Sequence, residues 1–207
     1  MPEGPEIWIL SKAINLYYNN ENTTSYGKHL FILDKKENWS FGLTGNVEIN
    51  DVNNELVKLD TGYIYGDQLK YENLIHEKSK LGIDFMTADE SLIREEVDKW
   101  IKSKKKLAGL ILDQSNISGI GVAWGSEILF RAGLRPDMRS CDQVLNKLAD
   151  SILYIREQIK NVYEKELKEQ GPAGLIDGWF YDLYDIREMK IYKKGYGVKV
   201  LGRIWWV

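Results

Sequence analysis

The chain has 207 residues, 28 Lys/Arg against 31 Asp/Glu, and a net charge of −3. That length suits one large domain or two small ones with a sizeable core. No apolar run approaches the roughly 20 residues of a membrane span, and no signal-peptide pattern opens the chain.

Cys141 is the single cysteine, which excludes an intramolecular disulfide and a multi-cysteine metal site. His29 and His76 are too few and too far apart for a metal centre. We expect an intracellular protein with no cofactor and no membrane partner. The charge is unevenly spread: residues 1–100 carry 10 Lys/Arg against 18 Asp/Glu, and residues 101–207 carry 18 against 13. From Met189 onward Lys190, Lys193, Lys194, Lys199 and Arg203 occur with no acid. A local basic face binds phosphates whatever the total charge, so a polyanion partner stays open.

The first six residues are Met-Pro-Glu-Gly-Pro-Glu. Removal of Met1 would leave Pro2 as a secondary amine, with Glu3 and Glu6 beside it. Pro5 suits the first turn of a helix. Ile7, Leu10, Ile14 and Tyr17 then recur at helical spacing, which predicts a helix to about Tyr18. The six residues therefore read two ways, as an ordinary capped helix start or as a nucleophile with acid/base groups.

Strands are expected over 28–34, 39–49, 55–60 and 63–65. Thr87-Ala88-Asp89-Glu90 and Ser140-Cys141-Asp142-Gln143 read as capping boxes that open helices to about Lys102 and Gln170. Between them lie the basic run Lys102–Lys106, apolar helix over Leu107–Leu112, the glycine turn Gly119-Ile120-Gly121, and helix over Ala123–Ala132. The tail from Met189 to Val207 reads as a hairpin turning at Lys194–Gly197. The fold class is α+β: an N-terminal helix with a small antiparallel β-sandwich (1–86), a helical domain (87–186) and a C-terminal hairpin (187–207).

Three blocks resemble the formamidopyrimidine-DNA glycosylase/endonuclease VIII family. They are Pro2-Glu3-Gly4-Pro5-Glu6; Leu112 to Gly121 continuing into Ser126 to Pro136; and Gly202-Arg203-Ile204-Trp205-Trp206-Val207. The resemblance implies a helix–two-turn–helix domain, a finger, and DNA crossing a cleft between domains. It implies an N-terminal proline that attacks C1′ of a damaged nucleotide, here Pro2, assisted by Glu3 and Lys28; Glu6 joins them as a candidate acid/base group by its place in the sequence. It further implies wedge residues at Leu43 and Tyr65, phosphate binding at Gly119 and Gly121, an acid near the cleft at Glu127, and a finger arginine at Arg203; Lys193 joins that finger by its charge. Gly4 is more like the endonuclease VIII branch, which favours oxidised pyrimidines.

The chemistry asks for these groups. A secondary amine can only give a cationic iminium, which acidifies C2′–H and permits loss of the 3′ phosphate. A carboxylate must shuttle the protons, a role that fits Glu3. A helix end and Lys28 would lower the amine pKa, whereas Glu3 and Glu6 would raise it, and either balance stays open.

Departures from the family are the absent finger cysteines, which imply a zincless hairpin, a short sandwich, and Val122 where the family has Asn. The expectation is a monomeric glycosylase/AP lyase acting on damaged DNA, double- or single-stranded. The alternatives are a damaged-DNA binding module without efficient cleavage and an RNA-binding relative.

Overall fold

The computed structural model describes residues 3–17, 19, 23–33, 38–43, 48–53, 56–60, 64–68, 79–184 and 189–207; for residues 29, 31–68, 142–143 and 177–184 only the backbone is described. Pro2 lies outside the described residues, as do the side chains of Leu43 and Tyr65. The chain divides into two units, Met1–Lys80 with Asn161–Asp185, and Leu81–Lys160 with Ile186–Val207. The helix-and-small-sheet composition is the expected α+β class.

In the first unit, α1 (Gly4–Tyr17) starts where the sequence expects it. Its buried set is wider than one stripe and includes Ile7, Trp8, Ile9, Leu10, Ala13 and Ile14. A helix apolar nearly all round must be covered on several sides. One cover is a ring contact, Trp8 edge-on to Tyr163 with centroids 5.1 Å apart. Another is β1 (Thr23–Tyr26), a strand the sequence pattern does not reveal. The Asn15 amide holds it in both senses, donating to the Thr23 carbonyl at 2.7 Å and accepting the Thr23 N–H at 3.0 Å.

Strands β1, β2 (His29–Leu33), β3 (Asn38–Leu43) and β6 (Ile64–Gln68) form one antiparallel sheet in the order β1-β2-β3-β6. β4 (Glu48–Asn53) and β5 (Leu56–Asp60) make a separate two-stranded ladder. The strand expected over 39–49 is therefore two strands, β3 and β4, in different sheets.

In the second unit, β7 (Ile83–Asp84) runs parallel to β8 (Ile117–Ser118). The approach is close enough to demand glycine: a Cβ on Gly82 would sit 1.9 Å from the Asn116 carbonyl oxygen. The Gly82 N–H donates to the Gln114 carbonyl at 2.8 Å and the Ile83 N–H to that of Asn116 at 3.1 Å. Helices α2 (Glu90–Lys99), α3 (Leu107–Leu112) and α4 (Val122–Ala132) follow, α2 continuing as a 3₁₀ turn over Trp100–Lys102. Ile93, Trp100, Leu107, Ile111, Ile120 and Ile128 are buried in this unit's core.

Neither internal capping box forms as read. The Thr87 hydroxyl donates to Asp84 Oδ1 at 2.9 Å, and Asp89 caps α2 without a side-chain bond. The Ser140 hydroxyl reaches the Trp100 and Ser103 carbonyls at 2.7 and 3.2 Å. In both cases the helix starts later than the box assumes, at Glu90 and at Asp142, so neither hydroxyl stands at the N-cap.

The long helix α5 spans Asp142–Tyr184 but is broken at Gly171 (φ 71°, ψ 176°), ahead of Pro172. The break stands where Gly-Pro predicts a stop, yet helix resumes beyond it. The tail forms β9 (Gly197–Val200) and β10 (Arg203–Trp206). Their link is Leu201-Gly202, at φ 52° and 75°, so the hairpin turns there and not at Lys194–Gly197. Two consecutive positive φ values are what a tight two-residue hairpin needs, because their twist matches that of the strands.

Candidate nucleic-acid interface

At the start of α1 the Glu3 carbonyl accepts the Ile7 N–H at 3.3 Å, which makes Glu3 the residue at the helix cap. The Glu6 carboxylate reaches back and accepts the Glu3 N–H at 2.9 Å through Oε2. This is the return half of a capping box, three residues wide. Both acids are buried, Glu3 6% and Glu6 0% exposed. The bond fixes the backbone of Glu3, the residue that follows Pro2. Lys28, the other candidate in this unit, is half-buried in the two-residue link between β1 and β2, beside Gly27 at φ 57°. Leu43 and Tyr65 fall at one end of the β3–β6 ladder, where Leu43 pairs with Ile64 and Gly42 with Tyr65.

The glycine turn is built from the inside by Gln114, which sequence reasoning does not single out. Its Oε1 accepts the Gly119 N–H at 2.9 Å, while its Nε2 donates to the Ile120 and Leu112 carbonyls at 2.9 and 3.0 Å. Gly119 stands at φ 100°. Its N–H is thus directed into the turn, toward Gln114. Gly121 is the N-cap of α4, whose first residue is Val122.

Three consecutive residues of α4 then hold the hairpin. Glu127, 3% exposed, accepts the N–H groups of Lys190, Ile191 and Tyr192 at 2.9, 2.8 and 2.7 Å. Ser126 Oγ accepts the Trp206 N–H at 3.2 Å. At Gly125 an added Cβ would lie 3.0 Å from the Trp205 ring and 3.2 Å from Ile111, so the indole sits against bare backbone. Trp205 is fully buried, and its Nε1 has no acceptor among the described residues. Glu127 therefore faces backbone amides and anchors the hairpin. Gly125 and Ser126 are not picked out by their types, because their partners lie 80 residues away.

Arg203 opens β10 beside the Leu201-Gly202 turn and is exposed, as is Lys193, whose Nζ lies 5.4 Å from the Tyr192 ring centroid. Cation and ring attract at this range. The described part of this unit therefore presents cations on the hairpin and a helix start at Gly121 behind the glycine turn. Among the described residues no three His, Cys, Asp or Glu side chains gather as metal ligands, and no described helix is long and apolar enough to cross a membrane.

No family model matches the chain. Over 72 residues it is 38% identical to a formamidopyrimidine-DNA glycosylase of Mycoplasma pneumoniae, a stretch that covers 34% of this chain and a quarter of that relative's length. Among solved structures, it matches the MutM (Fpg) protein of Thermus thermophilus with a TM-score of 0.65 and 16% identity, over 99% of this chain and 96% of that one. It also matches the Lactococcus lactis formamidopyrimidine-DNA glycosylase bound non-covalently to DNA containing an AP site, with a TM-score of 0.59 and 18% identity, over 90% and 78% of the two chains. A complex of wild-type L. lactis Fpg with DNA containing an oxidised pyrimidine gives a TM-score of 0.64 at 18% identity, over 99% and 97%. By its fold over nearly the whole length, and by its sequence over a third of it, the chain is similar to the formamidopyrimidine-DNA glycosylase/endonuclease VIII family, as its three sequence blocks imply.

Proposed function

We propose that this protein is a bifunctional DNA glycosylase and AP lyase of base-excision repair, with oxidised pyrimidines as its favoured substrates and a zincless finger. The observation that carries the reading is the start of α1. There a buried Glu6 carboxylate fixes the backbone of a buried Glu3, one residue beyond Pro2. Capping and catalysis are compatible, since the capping bond uses the backbone N–H of Glu3 and not its carboxylate.

In the reaction we assign, the Pro2 nitrogen, freed by removal of Met1, attacks C1′ and the damaged base departs. The Pro2 N–H proton passes to Glu3, and the freed nitrogen lone pair forms the C1′ iminium as the C1′–O4′ bond breaks. Glu3 delivers that proton to the ring oxygen. The iminium draws electrons from the C2′–H bond. Loss of that proton and expulsion of the 3′ phosphate complete β-elimination. Lys28 adds positive charge that favours a neutral amine. The target nucleotide must leave the stack, at a cost of a few kcal/mol, and Leu43 and Tyr65 are the residues we assign to hold the gap. Gly121, Lys193 and Arg203 take phosphates. The pyrimidine preference rests on Gly4, which is more like the endonuclease VIII branch.

Borohydride reduction in the presence of an abasic-site duplex tests this directly. A covalent protein–DNA adduct is expected from Met1-processed protein, and its absence refutes the lyase chemistry. The alternative, a module that binds damaged DNA without efficient cleavage, is favoured by one feature. Val122 at the first position of α4 has no polar side chain to offer a phosphate. Salt-dependent binding to the abasic duplex with neither adduct nor scission selects it.

A further inference from the structure

The hairpin has two faces, and the contacts above use one of them. Pairing of Val200 with Arg203, Lys199 with Ile204, Val198 with Trp205 and Gly197 with Trp206 sorts the side chains by alternation. Val198, Val200 and Trp205 share the face that lies against α4, where Val200 and Trp205 are buried. Gly197, Lys199, Ile204 and Trp206 share the other. That outer face keeps apolar surface in solvent: Ile204 is 57% exposed, and Lys199 and Gly197 are exposed beside it.

The outer face is also kept level. Gly197 stands directly across from Trp206 and sets no side chain over the indole from the neighbouring strand. A Cβ there would come within 2.9 Å of Ile204 Cγ2. Trp206 continues edge-on into Tyr192, with centroids 6.2 Å apart and planes at 79°. The result is a strip of Ile204, Trp206 and Tyr192 with Lys199 on one side and Lys193 near the Tyr192 ring. No acid occurs between Met189 and Val207 to oppose a polyanion. Apolar and aromatic surface rimmed by cations is what an unpaired nucleotide run requires, because every base has a face to stack and every phosphate a charge to neutralise.

We propose that this outer face binds a single-stranded stretch of DNA, with bases on Trp206 and Ile204 and phosphates along Lys199 and Lys193. By alternation the strip lies on the opposite side of the ribbon from Arg203, so it is a contact additional to the Arg203 phosphate grip. The proposal rests on DNA being the partner and adds the strand state and surface.

Fluorescence anisotropy with a labelled oligothymidylate tests it in the full chain. Ile204→Glu and Lys199→Glu place a carboxylate on an exposed position without disturbing the buried face. Each is expected to weaken binding about tenfold or more, and Trp206→Ala by a comparable factor. Affinity for the oligothymidylate equal to that of the parent protein in both glutamate variants overturns the proposal. So does sedimentation showing that Ile204→Glu dissolves a dimer while leaving that affinity unchanged, which makes the face a self-interface. Borohydride trapping by the unaltered protein is read in parallel: loss of oligothymidylate binding in the variants together with absent trapping upholds the strip and removes the glycosylase, and the converse pattern does the reverse.

Discussion

Glu6 and Glu127 are both buried acids whose oxygens accept backbone N–H groups, yet one closes a turn three residues wide and the other joins segments 63 to 65 residues apart. The Glu6 bond forms within a single helix turn, where closure costs little chain entropy. The Glu127 bonds form only after a long loop has closed. The first kind of contact sets the direction of a few atoms at a helix start. The second kind decides whether a separate element, the hairpin, is attached to α4 at all. A site that needs a positioned acid and a site that needs a positioned hairpin therefore depend on the chain in different ways.

The largest expected effect is at the N-terminus. Glu3→Gln keeps the shape of the helix start but removes the proton shuttle, so scission of an abasic-site duplex should fall about 10²–10⁴-fold, with little change in thermal midpoint. A matching drop in stability would mean that Glu3 is a structural acid and nothing more. At the hairpin the expected effect is on stability instead. Glu127→Ala leaves three N–H groups without their acceptor at about 1–3 kcal/mol each, so urea unfolding should show a loss of at least about 3 kcal/mol. Glu127→Gln, which keeps one acceptor oxygen, should lose less. Equal stability of the alanine variant and the parent would remove the anchoring role.

Gly125→Ala sharpens the same anchor from its apolar side. Its new methyl meets the Trp205 ring at 3.0 Å, a crowding expected to cost about 1–3 kcal/mol in thermal unfolding. The smallest effect belongs to a local carboxylate. Asp113 is held below the usual carboxylate range first by the Ser115 hydroxyl and then by Lys105. A depressed folded-state pKa contributes stability above the ordinary value near ~3.9 and loses it as pH falls through the folded value. Asp113→Asn should therefore flatten the acid limb of a stability–pH curve, by under about 1 kcal/mol because the Lys105 pair faces solvent.

The same division between local and distant contacts explains what can be read in the chain. The start of α1, the Gly119-Ile120-Gly121 turn and the helix break at Gly171-Pro172 are written in adjacent residues, and periodicity or glycine placement exposes them. The capping boxes expected at Thr87 and Ser140 do not form because the helices begin one or two residues later than the pattern suggests, and the hydroxyls donate instead to Asp84 in one case and to the Trp100 and Ser103 carbonyls in the other. The hairpin turn is easily misplaced because Gly195 and Gly197 look like turn residues, whereas Leu201 carries a positive φ that its type does not advertise. Gln114 is within reach of sequence reasoning, as a polar side chain a few residues ahead of a glycine turn whose interior needs hydrogen-bond partners. The anchoring role of Glu127 is not, because its partners are backbone N–H groups, which have no residue-type signature.

If Pro2 is the nucleophile, mass mapping of a borohydride-trapped complex will locate the adduct there. After digestion of the protein–DNA adduct, the sugar remnant is expected on the N-terminal peptide, attached to the Pro2 nitrogen. A remnant on Lys28 or another lysine, with an unmodified Pro2 terminus in the same sample, would contradict it.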